Sequence, residues 1–415
     1  MCGGAAGRDN PPMQKTPEHE QHFFARLGLT YSIGNTIITR DTDNRGKFAR
    51  HVHYINKTYK TMKKTLFFTM LAAALVGGQV FAADAILTEV KGCEEQSGNS
   101  YYGKRNNSGE ANGANVTVSA SETGTDLSMK TVYGGSAGTA AANNKVTMTG
   151  GQVRGLYGAE GKTTVSGNTV IMTGGKVTST LRGGQSTENE ALVEKNVVIV
   201  AGDCEVAANI LYGGYSSHGD AKNNKVYLVG KGATATIADA QGNAGTYTGG
   251  TISVKQVYAG DGEGTLANNS IDIYGTGITA SSYVRGMQIL NFHISQNQIG
   301  GEYANASMLT LTTYGMDLTD VTIGIQDVNV DVQAWTPGTT VTLVQLDKDN
   351  RTITGIESGE VVDIKRDGQV VAQGQLVLSN DNKTLSLSIP GSVPEPTTGT
   401  LGLLALAGLC IRRRK

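Results

Sequence analysis

Between Ala83 and Pro396 the chain holds two histidines, His218 and His293, and two cysteines, Cys93 and Cys204. A zinc site draws three or four nitrogen or sulfur ligands together. His218, in Gly214-Tyr-Ser-Ser-His218-Gly-Asp220, has no second histidine or cysteine near it and reads as a solvated loop residue. Asp261-Gly-Glu263-Gly264 has the look of an acidic calcium loop, but a calcium-binding repeat would return in each unit and this one does not. Asp203, Asp220, Asp261 and Asp272 are the acids that could serve general acid–base chemistry, and they share no register along the chain. No catalytic, cofactor or metal residue is therefore assigned. A polysaccharide-active lyase or hydrolase remains the alternative function.

A different set of residues recurs at regular positions. Val132-Tyr133-Gly-Gly, Leu156-Tyr157-Gly-Ala, Leu181-Arg182-Gly-Gly, Leu211-Tyr212-Gly-Gly, Val257-Tyr258-Ala-Gly and Val284-Arg285-Gly are six versions of one element. The position after the apolar residue accepts Tyr or Arg, and arginine is seldom buried unpaired, so Tyr133, Tyr157, Arg182, Tyr212, Tyr258 and Arg285 are read as surface residues. Stacked at the spacing of paired strands, about 4.8 Å, their rings and guanidiniums would lie on one another. Such a file either stiffens the coil or offers a shallow strip for contact with a glycan.

The elements that position this file are short strands. A second element alternates with the first: Asn144-Lys-Val146, Asn168-Thr-Val170, Asn196-Val197, Asn224-Lys-Val226 and Asn269-Ser-Ile271. The leading apolar positions Val146, Val170, Val197, Val226 and Ile271 fall 24, 27, 29 and 45 residues apart, which puts the variation in loops. Each element alternates apolar with polar residues, the period of a strand with one buried face. Glycine pairs are expected to supply corners with positive φ, and each asparagine to join a hydrogen-bonded ladder between repeats. The wide interval, Lys231 to Thr248, reads as a loop or an irregular coil. One repeat cannot bury its own apolar face, so several must stack.

The fold class expected is all-β: a parallel β-helix, or β-solenoid, over 112–303, with a lead-in at 83–111 and a β-rich cap at 304–390 that covers the open strand edges. The repeat style resembles the parallel β-helices of bacterial surface proteins and autotransporter passengers. It departs from autotransporters because the repeats lead to a different kind of C-terminus.

That C-terminus, 391–415, is the most specific feature. Pro394-Glu395-Pro396 precedes an apolar run, Leu401 to Ile411, and the cations Arg412, Arg413, Arg414 and Lys415. A cationic end resists crossing a bilayer, so the apolar run would stop there as a transmembrane helix. The order closely resembles the PEP-CTERM sorting signal of Gram-negative bacteria. The resemblance implies an exosortase-like processing protease as partner, transient residence in the inner membrane, and delivery to the cell surface or extracellular matrix. At the other end, Met62-Lys-Lys, an apolar run and Gly77-Gly-Gln-Val-Phe-Ala82 form a secretory signal peptide, expected as a helix over 62–82 with cleavage between Ala82 and Ala83. Residues 1–61 precede that signal and are expected to be unstructured or untranslated.

The part between the two signals, Ala83 to Pro396, carries 20 Lys plus Arg against 31 Asp plus Glu, a net of −11 where the whole chain has −1. Nucleic acid is thereby disfavoured as a partner, whereas an extracellular polysaccharide or other glycan fits the surface file. The two cysteines of this part are expected to remain unpaired. The function expected is that of an exported envelope or matrix protein with a structural or adhesive role.

Overall fold

The computed structural model describes residues 30–33, 36–42, 48–54, 86–331 and 334–390. The chain forms two compact units, 1–82 and 83–415. In the first, Thr30–Ile33, Thr36–Thr42 and Phe48–Tyr54 make a three-stranded antiparallel sheet within the stretch expected to be unstructured or untranslated. The signal segment 62–82, the cleavage pair Ala82 and Ala83, and the tail 391–415 with Pro394, Glu395, Pro396, Arg412, Arg413, Arg414 and Lys415 lie outside the described residues. Both expected helices therefore do too. Among the described residues, no helix is long and apolar enough to cross a membrane.

Among its described residues the second unit is almost wholly β, with 28 strands joined in one sheet that is mostly parallel. Its rule is simple: a strand pairs with its counterpart one repeat later. Asn115–Ala120, Lys145–Met148 and Thr169–Met172 pair in this way, followed by the start of Val197–Lys222, then Lys225–Val229, Ser270–Tyr274, Ile289–Ser295 and Thr322–Val328. The inward positions align as Val116, Val146, Val170, Val198, Val226, Ile271 and Leu290, each 0% exposed. Burying one such side chain stabilises the fold by about 1.5–3 kcal/mol.

The ladder holds Val198, where the sequence reading placed Val197. Val197 instead pairs with Thr169 and Lys225 and faces outward. The asparagines set the frame: Asn144, Asn168, Asn196, Asn224 and Asn269 stand 24, 28, 28 and 45 residues apart, and the inward residue follows two places after each. Two adjacent valines after Asn196 hid that offset.

All five asparagines are fully buried, and the first four donate Nδ2 to the next one's Oδ1, at 3.0, 2.9, 3.0 and 3.1 Å along the row. The same Oδ1 accepts a backbone N–H from the preceding asparagine, for example Asn168 N at 3.1 Å from Asn196 Oδ1. A buried amide so fully partnered pins the corner, since leaving it unpaired would cost about 1–3 kcal/mol.

Glycine works in two ways. After the second strand, Gly151 and Gly175 take φ of +85° and +93°, as expected for corners. The pairs following the Tyr or Arg position do not: they are there for close approach. A Cβ on Gly158 would sit 2.2 Å from the Gly183 carbonyl oxygen of the next repeat, and one on Gly184 would sit 2.8 Å from Asn196 Nδ2.

The wide interval is a hairpin rather than a loop or an irregular coil. Thr234–Ala238 pairs antiparallel with the start of Ala244–Gly262 and lies over the outward face of the second strands. Ala235 and Ile237 there join Ile171, Val197, Ile199, Val229 and Tyr274 in a second apolar cluster. At its tip Asp239 pairs with Lys145 Nζ at 3.1 Å, and Ala240 N donates to Thr169 Oγ1 at 3.0 Å. This cover explains why both valines after Asn196 are buried.

Both ends are closed by a change of direction. At the start, Leu87–Lys91 pairs antiparallel with Asn115–Ala120, and Glu95–Ser97 with Ser100–Asn106. At the finish, parallel pairing runs past 303, through Leu309–Leu311 with Thr340–Leu346 and Thr322–Val328 with Glu360–Arg366. Antiparallel Gln369–Leu378 and Thr384–Ser388 then close the sheet. Asn329 turns with φ +56°, and Val330 N donates to Asp327 Oδ1.

Candidate functional site

The register brings the six residues read as surface residues into one line and adds a seventh at its start, but Tyr212 and Tyr258 are buried, covered by their stacked neighbours. Tyr102, Tyr133, Tyr157, Arg182, Tyr212, Tyr258 and Arg285 are consecutive partners across parallel strands. Tyr102 was legible in principle, because Tyr101-Tyr102-Gly103 repeats the same signature. Ring centroids are 5.1 Å apart for Tyr102 and Tyr133, 4.8 Å for Tyr133 and Tyr157, and 5.2 Å for Tyr212 and Tyr258. Arg182 bridges the break, 5.5 Å from the Tyr157 ring and 4.9 Å from Tyr212. Arg285 caps Tyr258 at 4.5 Å.

A second file runs beside the first, three residues on along each strand. Ser136, Glu160, Gln185, Tyr215 and Asp261 are partners in the same register. Arg182 Nη1 donates to Gln185 Oε1, and its guanidinium lies 4.4 Å from the Tyr215 ring. Desolvation holds the Asp261 carboxyl above its ordinary range, against the pull of Arg285 and Arg182. Burial likewise raises the phenols of Tyr133 and Tyr212, so both stay protonated donors at any physiological pH. The fixed offset between Tyr212 and Tyr215 was the signal for this file. It went unused because the residue types vary from repeat to repeat.

Exposure is uneven along the line. Tyr102, Tyr133 and Tyr157 are half-buried, Tyr212 and Tyr258 are 5% and 3% exposed, and Arg285 is exposed. A closed stack presents ring edges and hydroxyls to solvent and keeps its faces for its neighbours. Ring faces become free only where the stack ends.

The acids weighed for catalysis occupy separate places. Asp203 accepts from Thr251 N at 2.8 Å, and Asp220 from Lys222 Nζ at 2.5 Å and Thr265 N at 2.7 Å. Asp272 accepts from Ser270 and Asn291 and lies 2.9 Å from His293 Nε2, whose ring stacks on Tyr274 at 3.8 Å. His218 Nδ1 lies 2.9 Å from Glu263 Oε2 on the surface. Among the described residues, no group of three His, Cys, Asp or Glu is placed to hold a metal ion.

Gly134-Gly-Ser136-Ala-Gly138 spells the Gly-x-Ser-x-Gly of a nucleophile elbow, a pattern passed over in the sequence reading. That motif works at a sharp strand-to-helix turn. Ser136 instead sits inside a strand, between Arg105 and Glu160 of the neighbouring repeats. Cys93 and Cys204 are free thiols.

No curated protein and no solved structure matches the chain. Residues 392–415 match the model of the PEP-CTERM protein-sorting motif, and such a motif supports an exported protein that exosortase processes and that passes through the inner membrane to the cell surface.

Proposed function

We propose that the exported part begins near Ala83 and folds as a parallel β-helix. In this reading it serves at the cell surface or in the extracellular matrix as a structural and adhesive protein. An exosortase-like protease acts at Pro394-Glu395-Pro396 after the apolar tail has held the chain transiently in the inner membrane. The observation that supports this reading best is the unbroken register of one file over seven strands with a second file of five residues beside it. An extended face suits many weak contacts along a polymer, whereas catalysis calls for convergent groups in one cleft.

The stacked file serves two ends in this reading. It stiffens the coil, each aromatic pair adding about 0.5–1.5 kcal/mol, and the phenol edges of the half-buried Tyr102, Tyr133 and Tyr157 with Glu160 offer hydrogen bonds to sugar hydroxyls. The test is retention of the full-length protein on immobilised neutral polysaccharides, with the Tyr133→Ala/Tyr157→Ala variant alongside. Retention reduced several-fold in a variant that still folds is expected. Equal retention of both proteins would remove the adhesive half of the proposal.

A further inference from the structure

Beyond Arg285 the stack leaves its line. Gly286 takes φ +70°, and a Cβ there would lie 2.0 Å from the Gly260 carbonyl oxygen, so the chain turns sharply at that point. The stack then continues sideways. Arg285 lies 5.2 Å from the Tyr283 ring, Tyr283 stacks on Tyr314 at 4.3 Å and 24°, and Arg351 lies 5.3 Å from Tyr314. Two rings are thus held between two guanidiniums drawn from three successive repeats. Tyr283 and the two arginines border a cleft of about 610 Å³ whose walls include Gln288, Asp317 and Asn350.

Of the six arginines among the described residues from 86 to 390, two are held in ion pairs. Arg105 is paired with Glu95 at 2.7 Å and Arg366 with Asp327 at 2.9 Å. Among the described residues, Arg285 and Arg351 take part in no ion pair. Asp261 feels Arg285 only through space. Stacking occupies the face of a guanidinium and leaves its N–H edges for hydrogen bonds; Arg285 gives one to the Tyr258 side chain, and the remaining N–H groups of the two arginines suit a planar anion. Asp317, the acid within the cleft, is held below its ordinary range by hydrogen bonds from Thr319. Thr319 N, Thr319 Oγ1 and Thr354 Oγ1 all reach the same Asp317 oxygen, which leaves the other to accept from a sugar hydroxyl. Two unpaired cations against one carboxylate leave the cleft positive in a part of the chain that is otherwise acidic.

We infer that this cleft, lined by Arg285, Tyr283 and Arg351, binds an anionic saccharide segment, its carboxylate or sulfate groups meeting the two guanidiniums. The inference deepens the adhesive reading above by naming a subsite and a ligand class. It assigns sequence-tolerant contact to the long file and charge selection to the cleft at its end.

The test measures binding of the full-length protein to an oligouronate, to its methyl ester, to a sulfated oligosaccharide and to a DNA oligonucleotide. The oligouronate is expected to bind at least tenfold more tightly than the ester. Arg285→Gln and Arg351→Gln should each weaken it about tenfold, the scale of one lost charge-assisted contact, while circular dichroism shows the fold unchanged. Arg351→Lys, which keeps the charge and loses the fork, should recover only part of the binding. Sulfated ligand bound with the same arginine dependence assigns sulfate as the source, and preference for the uronate assigns carboxylate. Equal binding of acid and ester, folded Gln variants that bind as the parent does, or tighter binding of the oligonucleotide would each overturn the inference. Tyr133→Ala/Tyr157→Ala leaves the cleft untouched and should not change oligouronate binding, so failure of the long file and failure of the cleft are read separately.

Discussion

The repeats and the closing region solve the same problem, a buried strand edge, by opposite means. In the repeats one side chain serves both its own coil and the next. Asn196 accepts from Asn168 and donates to Asn224, and Val198 packs between Val170 and Val226. Stability is spread over many equivalent rungs. In the closing region it is concentrated. Asp327, with its side chain fully buried, accepts from Arg366, from Trp335 Nε1 at 2.8 Å and from Val330 N at 2.9 Å. One carboxylate there holds three separate segments. Distributed order can be extended by adding repeats, whereas a single knot can end the stack only once.

The largest expected effect tests the distributed half. Val198→Asp puts an unpaired charge into the inner ladder and should cost more than about 4 kcal/mol, enough to prevent folding. Thr147→Asp, outward and partly exposed on an equivalent strand, should leave the thermal unfolding midpoint within a few degrees of the parent. Next comes the knot. Asp327→Asn leaves Arg366 without its counterion, and limited proteolysis should then cut within 334–390 while 111–300 stays protected. Simultaneous loss of both regions would show that the contrast between them is false.

Smaller effects sharpen the same contrast. Asn196→Ala interrupts the asparagine row and should cost about 1–3 kcal/mol by denaturant unfolding, the lesion being local because the rows on either side keep their own partners. The thiols of buried Cys204 and half-buried Cys93 give a pH signature. Burial pushes Cys93 up to about 11 and Cys204 up to about 12, whereas in the unfolded chain a thiol titrates near 8.5. The folded state keeps protons that the unfolded chain releases, so this contribution is fully present below about pH 8.5 and declines as pH rises through 9 to 11. At pH 8, peptides containing Cys93 and Cys204 should resist alkylation in native protein and react in urea. Tyr133→Ala removes two stacked pairs and should cost about 1–3 kcal/mol, comparable to Asn196→Ala.

What the sequence made legible follows from periodicity. The Tyr and Arg positions recur at one place in each repeat, so their common line could be read, and the asparagine corners likewise. The one-residue error at Val197 and Val198 arose because both faces of that strand are buried, one by the core and one by the hairpin at Thr234–Ala238. Alternation carries no information when both faces are apolar. The hairpin itself was hidden by its Ala, Gly and Thr composition. The cleft could not be read, since Tyr283, Tyr314 and Arg351 come together only through the turn at Gly286 and occur once each.

Disulfide trapping across one rung tests the central claim, parallel stacking of successive repeats in this register, most directly. In a cysteine-free background, Thr169→Cys with Val197→Cys places two thiols at partnered positions 28 residues apart in sequence. Paired-strand spacing lies within the range a disulfide can bridge. The predicted result is that this pair cross-links rapidly under mild oxidation while Val170→Cys with Val197→Cys, which the alternation places on opposite faces, does not. Cross-linking of the second pair but not the first, or of neither in folded protein, would contradict the stacked register on which the fold and both binding proposals rest.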